Sequence, residues 1–334
     1  MKIAINGFGR IGKLVFRAFL EKKIRGIEVV AINEIGSLDS SYHLLKYDSV
    51  HGQLKENIIK TKNSFKYNNK IIHFYSEKDP KNLPWKKLKV DIVLECSGIF
   101  TSKEKAYSHI TAGAKKVIIS APGTNVDATI VQGVNNKILD KNHNVISNGS
   151  CTTNCLAPIA MILDNHLGIQ SGFMTTVHSF TGDQRTVDQT HTDLRRARAA
   201  SSSLIPTSTG AAKTLGIVLP KLEGKLDGTA IRVPTPNVSL IDLTFTTKKK
   251  STTKKINQLM IDASKKKELK EILSVNKLPL VSSDFNHNAF SSVFDLTQTQ
   301  VINNNFCRIL SWYDNEWGFS NRMIDTALQL KKFC

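Results

Sequence analysis

A glycine run close to the N-terminus constrains this chain more than any other feature. Gly7-Phe8-Gly9-Arg10-Ile11-Gly12 is a G-x-G-x-x-G sequence that follows the apolar stretch Ile3 to Asn6. Beyond it Ile11, Leu14, Val15, Ala18 and Phe19 recur at helical spacing, which gives a helix one apolar face. Strand, glycine loop and helix in that order open a βαβ unit, the context the motif requires. There Gly7 permits a tight turn, Gly9 lets the backbone approach a pyrophosphate, and Gly12 lets helix and strand close up. Arg10 and Ile11 begin the helix, whose free N–H groups and positive dipole end suit phosphates. Glu28 to Asn33 reads as the next strand, and Glu34 at its end offers a carboxylate to ribose hydroxyls. A carboxylate there disfavours a 2′-phosphate, since like charges ~4 Å apart repel by about 4 kcal/mol at an effective dielectric near 20, less in salt. The expected cofactor is NAD in preference to NADP.

Further apolar runs at Asp91 to Cys96, Val117 to Ser120 and Asn144 to Ser147 continue the alternation of strand and helix. Between two of them, Thr101-Ser102-Lys103-Glu104 reads as a capping-box start for a helix ending near Gly113. The second half changes character. Phe173 to Val177 and Val238 to Thr246 read as strands, the latter alternating Ile241, Leu243 and Phe245 with Asp242, Thr244 and Thr246 as in a sheet with one wet face. Ile256, Leu259, Met260 and Ala263 mark an amphipathic helix, and a last helix follows Trp317.

The expected fold is α/β. A Rossmann-type parallel-sheet domain over residues 1–150, joined by the C-terminal helix 315–334, precedes an α+β catalytic domain over 151–314 built on a mostly antiparallel sheet. A length of 334 residues suits two cores better than one. No apolar run is long enough to span a bilayer, and the N-terminus lacks a signal-peptide pattern. Five scattered cysteines, an odd number in a long chain, are no disulfide framework and point to a reducing cytoplasm. Cys151 and Cys155 have no second Cys/His pair at finger-like spacing, so no metal is expected. The formal charge of +18 is spread over short lysine runs such as Lys248-Lys249-Lys250, without interleaved aromatics. That reads as a solvated surface with a general pull on anions, not as a nucleic-acid interface.

Ser147 to Cys155 follows a strand and leads into Leu156, Ile159, Ala160, Leu163 and Leu167, one face of a helix that Pro158 should kink or shorten. Ser150 is a natural N-cap and puts Cys151 in the first turn, where the dipole favours a thiolate. Spacing alone leaves a reactive thiol and an inert one equally open, and Cys155 one turn on reads as a small buried residue. A thiol suits aldehyde oxidation, because its adduct can release hydride and leave a thioester open to a second nucleophile. The base for such a reaction is best a histidine. Among nine histidines, His178 after the Phe173–Val177 strand is one candidate.

Taken together, INGFGRIG around Gly7–Gly12, SCTTNCLAP at Ser150–Pro158, HSFT from His178, DLRRARAA from Asp193, PTSTGAAK from Pro206, RVPTPNV from Arg232 and WYDNE from Trp312 resemble the phosphorylating glyceraldehyde-3-phosphate dehydrogenase family. The resemblance runs along essentially the whole chain. It implies that Cys151 is the nucleophile, with His178 as its base and as an oxyanion donor beside the Cys151 backbone N–H. It implies that Thr181 and Arg232 hold the substrate phosphate. Ser150, Thr152, Thr209 and Gly210, with Arg196 nearby, would hold the attacking inorganic phosphate. Arg10 and Ile11 would contact the pyrophosphate, Glu34 the ribose, Lys78 and Ser120 other polar edges, and Asn315 the nicotinamide carboxamide. The segment from Ser179 to about Ser203 would line the cofactor site of a neighbouring subunit in a homotetramer.

The chain departs from the family pattern at several places. Glu34 stands for an aspartate, Lys78 for an arginine, Gly149 for an alanine and Phe319 for a frequent tyrosine. Gln189-Thr190 stands where strictly NAD-dependent members often carry Leu-Pro, so the resemblance leaves NADP use open while Glu34 favours NAD. The nearest rival activity is that of erythrose-4-phosphate dehydrogenase, but Thr209 to Lys213 supplies the inorganic-phosphate site that rival uses poorly. A basic nucleic-acid-binding protein on a relict fold is the rival from another class, and the intact Cys151, His178 and Arg232 set argues against it.

Overall fold

Parallel pairing starts at the first strand, Lys2–Asn6, which lies between Glu28–Asn33 and Ile92–Glu95. The computed structural model describes residues 1 to 334 and divides into two units. Met1–Ile130, Asn136–Gly149 and Ser320–Cys334 make the first; Val131–Asn135 and Ser150–Phe319 make the second.

The sheet of the first unit has nine strands, in the order Ala128–Thr129, Val145–Ser147, Lys116–Ile119, Ile92–Glu95, Lys2–Asn6, Glu28–Asn33, Lys70–Tyr75, Ser64–Tyr67 and Ile59–Lys60. All neighbours are parallel except the last two pairs. The central strands are buried on both faces and read as unbroken apolar runs, as a covered parallel sheet requires. The chain winds outward in both directions from Lys2–Asn6, so the carboxyl ends of the central strands form a topological switch point. The Lys103–Thr111 helix is capped by Ser102, whose hydroxyl accepts from the Lys105 N–H. The cap therefore lies one residue beyond Thr101, where the capping-box pattern put it. Asp127 ties the edge of the sheet together: one oxygen accepts from the Asn144 and Val145 N–H groups at 2.8 Å, the other from Lys103 at 2.6 Å.

The second unit is built on seven strands, in the order Ile205–Ser208, Leu226–Val233, Ile169–Ser179, Ser239–Thr247, Phe306–Tyr313, Ser292–Ile302 and Leu273–Asn276. Pairing is antiparallel except for Ile169–Ser179 with Leu226–Val233 and Leu273–Asn276 with Ser292–Ile302. Ser239–Thr247 alternates buried and half-buried residues, with Ile241, Leu243 and Phe245 facing the core. Against that face pack the Cys151–Leu167, Ala211–Val218 and Thr253–Ser264 helices.

Two local expectations are corrected. The Cys151–Leu167 helix continues through Pro158 for 17 residues, so the proline does not shorten it. Being apolar on nearly every side, the helix is held by packing, which outweighs the loss of one backbone bond. The strand read as Phe173–Val177 extends from Ile169 to Ser179 and so contains His178. No helix of the chain is long and apolar enough to cross a membrane.

Candidate active site

In the first unit the glycine loop sits at the switch point, and each glycine meets a different constraint. Gly7 has φ +84°, and a Cβ there would lie 2.4 Å from the Ser97 nitrogen. A Cβ at Gly12 would lie 2.1 Å from the Gly7 carbonyl oxygen, so neither position tolerates a side chain. Gly9 has nothing within 4 Å of a built Cβ; it faces open space as the N-cap of the Arg10–Glu21 helix. Its lack of a side chain leaves the first N–H groups of that helix, those of Arg10 and Ile11, accessible to an anion. The Arg10 guanidinium itself is committed to the Asp48 carboxylate at 2.6 Å, which leaves the backbone to serve a phosphate.

Beside this loop lies a cavity of about 400 Å³, with Glu34 at one end and Ile35, Ile99 and Phe100 among its apolar walls. The Glu34 carboxylate accepts from the Phe8 N–H at 2.6 Å and from the Gly36 N–H at 3.0 Å. One lone pair on each oxygen is thereby used, and the carboxylate is fixed in orientation without a cation. Lys78 lines the same cavity. Ser120 stands at the end of Lys116–Ile119, where its backbone N–H donates to the Glu95 carbonyl and its hydroxyl meets the Cys96 thiol. An acidic fixed point, an apolar slot and a helix N-terminus suit a ribose, a base and a pyrophosphate respectively, so these residues fit a dinucleotide.

In the second unit, Ser150 caps the Cys151–Leu167 helix through its hydroxyl, which accepts from the Thr153 N–H at 3.0 Å. Such a cap stabilises a helix start by about 1 kcal/mol. Cys151 is thereby held at the first helical position, half-buried, with Sγ 3.5 Å from His178 Nε2. His178 is buried at the end of its strand, and parallel pairing sets it opposite Arg232. Its Nδ1 lies 2.7 Å from the Ser179 carbonyl oxygen and 2.8 Å from Arg232 Nη1. The two Arg232 Nη1 hydrogens have acceptors in the Ser179 carbonyl and the Thr181 hydroxyl, so Nδ1–H can share that carbonyl and Nε2 keeps its lone pair towards the thiol.

Burial pushes His178 down to about 3, with Arg232 adding to the shift, so the ring is neutral near pH 7. Burial also pushes the Cys151 thiol up, while Arg232 and then Thr152, through its hydroxyl and its N–H, pull it back. The helix start alone therefore does not make a thiolate here: desolvation opposes the dipole, and Arg232 does the most to favour the anion.

The Arg232 side chain also reaches Thr181 Oγ1 at 3.3 Å, while its Nε is buried without a hydrogen-bond partner. Thr181 in turn donates to Asp183, a residue the motifs did not single out. Asp183 also receives Arg196 Nη1 at 2.7 Å. Burial would raise the Asp183 carboxyl, but Thr181, Arg196 and Arg232 outweigh it and hold it below the usual carboxylate range. Arg196 Nε donates to Thr207, and Thr209 with the exposed Gly210 opens the Ala211–Val218 helix. Four of the candidate phosphate residues thus converge: Thr181 and Arg232 directly, Arg196 through Asp183, and Cys151's neighbour Ser150 through the helix cap. The Thr152 hydroxyl points instead into the core, 2.9 Å from Tyr313, whose hydroxyl also meets Thr176 at 2.8 Å.

Asn315 is buried, with Oδ1 accepting from Ser179 at 2.8 Å and from Ser239 at 2.9 Å. That fixes its carbonyl end and leaves Nδ2 as a directed donor. Residues 180 to 204 carry no helix or strand but fold on themselves, for instance through Arg198 to Asp188 at 2.8 Å.

The sequence profile of the glyceraldehyde 3-phosphate dehydrogenase NAD binding domain matches residues 1–103, and that of the C-terminal domain matches residues 150–315. The glyceraldehyde-3-phosphate dehydrogenase of Xanthobacter flavus is 54% identical over 332 residues, 99% of each chain. That of Zymomonas mobilis is 52% identical over 333 residues, again 99% of each chain. Glyceraldehyde-3-phosphate dehydrogenase 2 of Nostoc is 51% identical over 329 residues, 98% of this chain and 97% of its own.

Proposed function

The chain belongs to the glyceraldehyde 3-phosphate dehydrogenase family, and from that premise we propose that it oxidises D-glyceraldehyde 3-phosphate to 1,3-bisphosphoglycerate, with NAD reduced and inorganic phosphate consumed. The observation that carries this reading is the contact of Cys151 Sγ with His178 Nε2 at 3.5 Å, beside the Arg232, Thr181 and Arg196 cluster.

Cys151 gives its proton to His178 Nε2 and adds through Sγ to the aldehyde carbon. The new alkoxide is met by the Cys151 backbone N–H and by the Nε2–H, which returns the proton and leaves a hemithioacetal. His178 takes that hydroxyl proton again as the carbon loses hydride, and a thioester remains on Cys151. The bound dinucleotide supplies the hydride acceptor. Gly7, Gly9, Gly12, Arg10, Ile11, Glu34, Lys78 and Ser120 would hold it, with the Asn315 amide donating to its carboxamide. Arg232 and Thr181 hold the substrate phosphate, while Ser150, Thr209, Gly210 and Arg196, with Thr152 through its backbone and not its hydroxyl, hold the attacking phosphate. Attack on the thioester carbon expels the thiolate and restores the enzyme.

The 180–204 segment exposes Val187 (70%) and Leu194 (82%) on an ordered loop, which supports burial against other subunits of a homotetramer. Five free cysteines support a reducing cytoplasm.

The test is oxidation of glyceraldehyde 3-phosphate with and without inorganic phosphate. NAD reduction that needs phosphate, and disappears in Cys151→Ser with NAD binding retained, is the expected result. Faster, phosphate-independent oxidation of erythrose 4-phosphate would sink the reading.

A further inference from the structure

Glu95 is among the buried carboxylates that the reaction does not use. Glu95, at the end of the central strand Ile92–Glu95, is only 1% exposed and forms no ion pair with any lysine or arginine. An isolated charge is costly there, so its neighbours must supply donors. They supply four. Oε1 accepts from the Ser97 N–H at 2.8 Å and from the Ser97 hydroxyl. Oε2 lies 2.6 Å from Asn6 Nδ2 and 2.9 Å from His109 Nε2.

Three of these donors, all side chains, are oriented by a further bond. His109 Nδ1 faces Trp85 Nε1 at 3.1 Å, and an indole can only donate. Nδ1 is therefore the acceptor, and Nε2 carries the proton that points at Glu95. The Ser97 hydroxyl, having given its hydrogen to Glu95, accepts from the Ile99 N–H at 3.1 Å. Asn6, having given its amide hydrogen, accepts on Oδ1 from Asn33 at 2.8 Å. Asn33 in turn accepts the Glu77 N–H on Oδ1 and donates to the Glu77 carbonyl, both at 2.9 Å. Phe100 stands edge-on to the His109 ring at 6.0 Å.

Both chains of bonds end in the walls of the 400 Å³ cavity. Asn33 ends one strand and Glu77 follows another on one side of Lys2–Asn6, Ser97, Ile99 and Phe100 follow the strand on its other side, and all five line the cavity. We propose that Glu95 is the positioning residue of the dinucleotide cleft: one carboxylate sets the spacing and orientation of both walls of its adenosine end and so governs cofactor affinity rather than the chemistry at Cys151. This rests on the reading of that cavity as the cofactor site. A glutamine cannot replace the carboxylate, since its NH₂ would face the Ser97 N–H at one end or the fixed His109 N–H at the other.

Calorimetric binding of NAD and of ADP-ribose to the full-length protein tests the proposal. Glu95→Gln should weaken both about ten-fold, the equivalent of one unsatisfied buried pair at 1.4 kcal/mol per decade, with kcat at saturating NAD within about two-fold of wild type. Ser97→Ala, which removes only the smaller branch, should weaken both about three-fold and stands in if the first variant does not fold. Asp127→Asn, destabilising but remote from the network, should bind both normally. Unchanged affinity in folded Glu95→Gln or in Ser97→Ala, or a loss that falls on kcat instead, overturns the proposal. Failure of the wild-type protein to bind NAD removes the cofactor reading itself, and this proposal with it.

Discussion

Arg232 Nη1 and His178 Nδ1 lie 2.8 Å apart and converge on one acceptor, the Ser179 carbonyl oxygen, at 3.0 and 2.7 Å. One cation therefore acts on both side chains: it favours the Cys151 thiolate and disfavours protonation of His178. Replacing it by Arg232→Gln should raise the titration of both. Since the thiolate is the alkylated form, the pH profile of iodoacetamide reaction at Cys151 should move to higher pH by about one unit. A downward move would show that the arginine does not face the sulfur.

Tyr313 matters through its hydroxyl, which joins Thr152, the neighbour of Cys151, to Thr176. Tyr313→Phe leaves two buried hydroxyls without that partner, and urea unfolding should show a loss of about 1–3 kcal/mol. Because Thr152 is next to Cys151, kcat should fall as well. An unchanged midpoint would mean that the threonines find other partners.

Acid stability should depend on Asp127. Burial alone would raise its carboxyl, but Lys103 and the N–H groups of Val145 and Asn144 outweigh it and hold it below the ordinary value. A depressed carboxylate contributes stability above its unfolded titration and loses it as pH falls through the folded one. Asp127→Asn should therefore cost about 1–2 kcal/mol at pH 7, and the gap to wild type should close as pH falls below the ordinary carboxylate range. A gap that persists in acid points to packing instead of charge.

Cofactor choice should turn on Glu34, whose carboxylate is fixed by the Phe8 and Gly36 N–H groups. In Glu34→Gln the charge is gone, so kcat/KM for NAD should fall while the preference for NAD over NADP narrows by about ten-fold or more. Equal ratios in wild type and variant would place the 2′ position out of reach of this side chain.

What could be read in the sequence is what depends on neighbours along the chain. The Gly7–Gly12 loop and the Ser150 cap are local geometry, and so their residues announce themselves. His178 could not be chosen from nine histidines by periodicity, because its place depends on pairing with a strand some fifty residues later. Asp183, Tyr313 and Glu95 act through contacts made in three dimensions, and each sits in a stretch whose pattern is explained without it. The exchange of Thr101 for Ser102 as cap is a one-residue ambiguity between adjacent hydroxyls. The persistence of the helix through Pro158 reflects packing that no helix propensity contains.

The parallel pairing of Ile169–Ser179 with Leu226–Val233 sets His178 across from Arg232. Side chains alternate faces along a strand, so a slip of one residue would turn Arg232 away from the imidazole and bring an apolar neighbour in its place. Misfolded molecules of this kind would keep most of their secondary structure and still be catalytically silent. Specific activity per folded molecule thus doubles as an assay of folding fidelity, one that spectroscopy of the backbone cannot match.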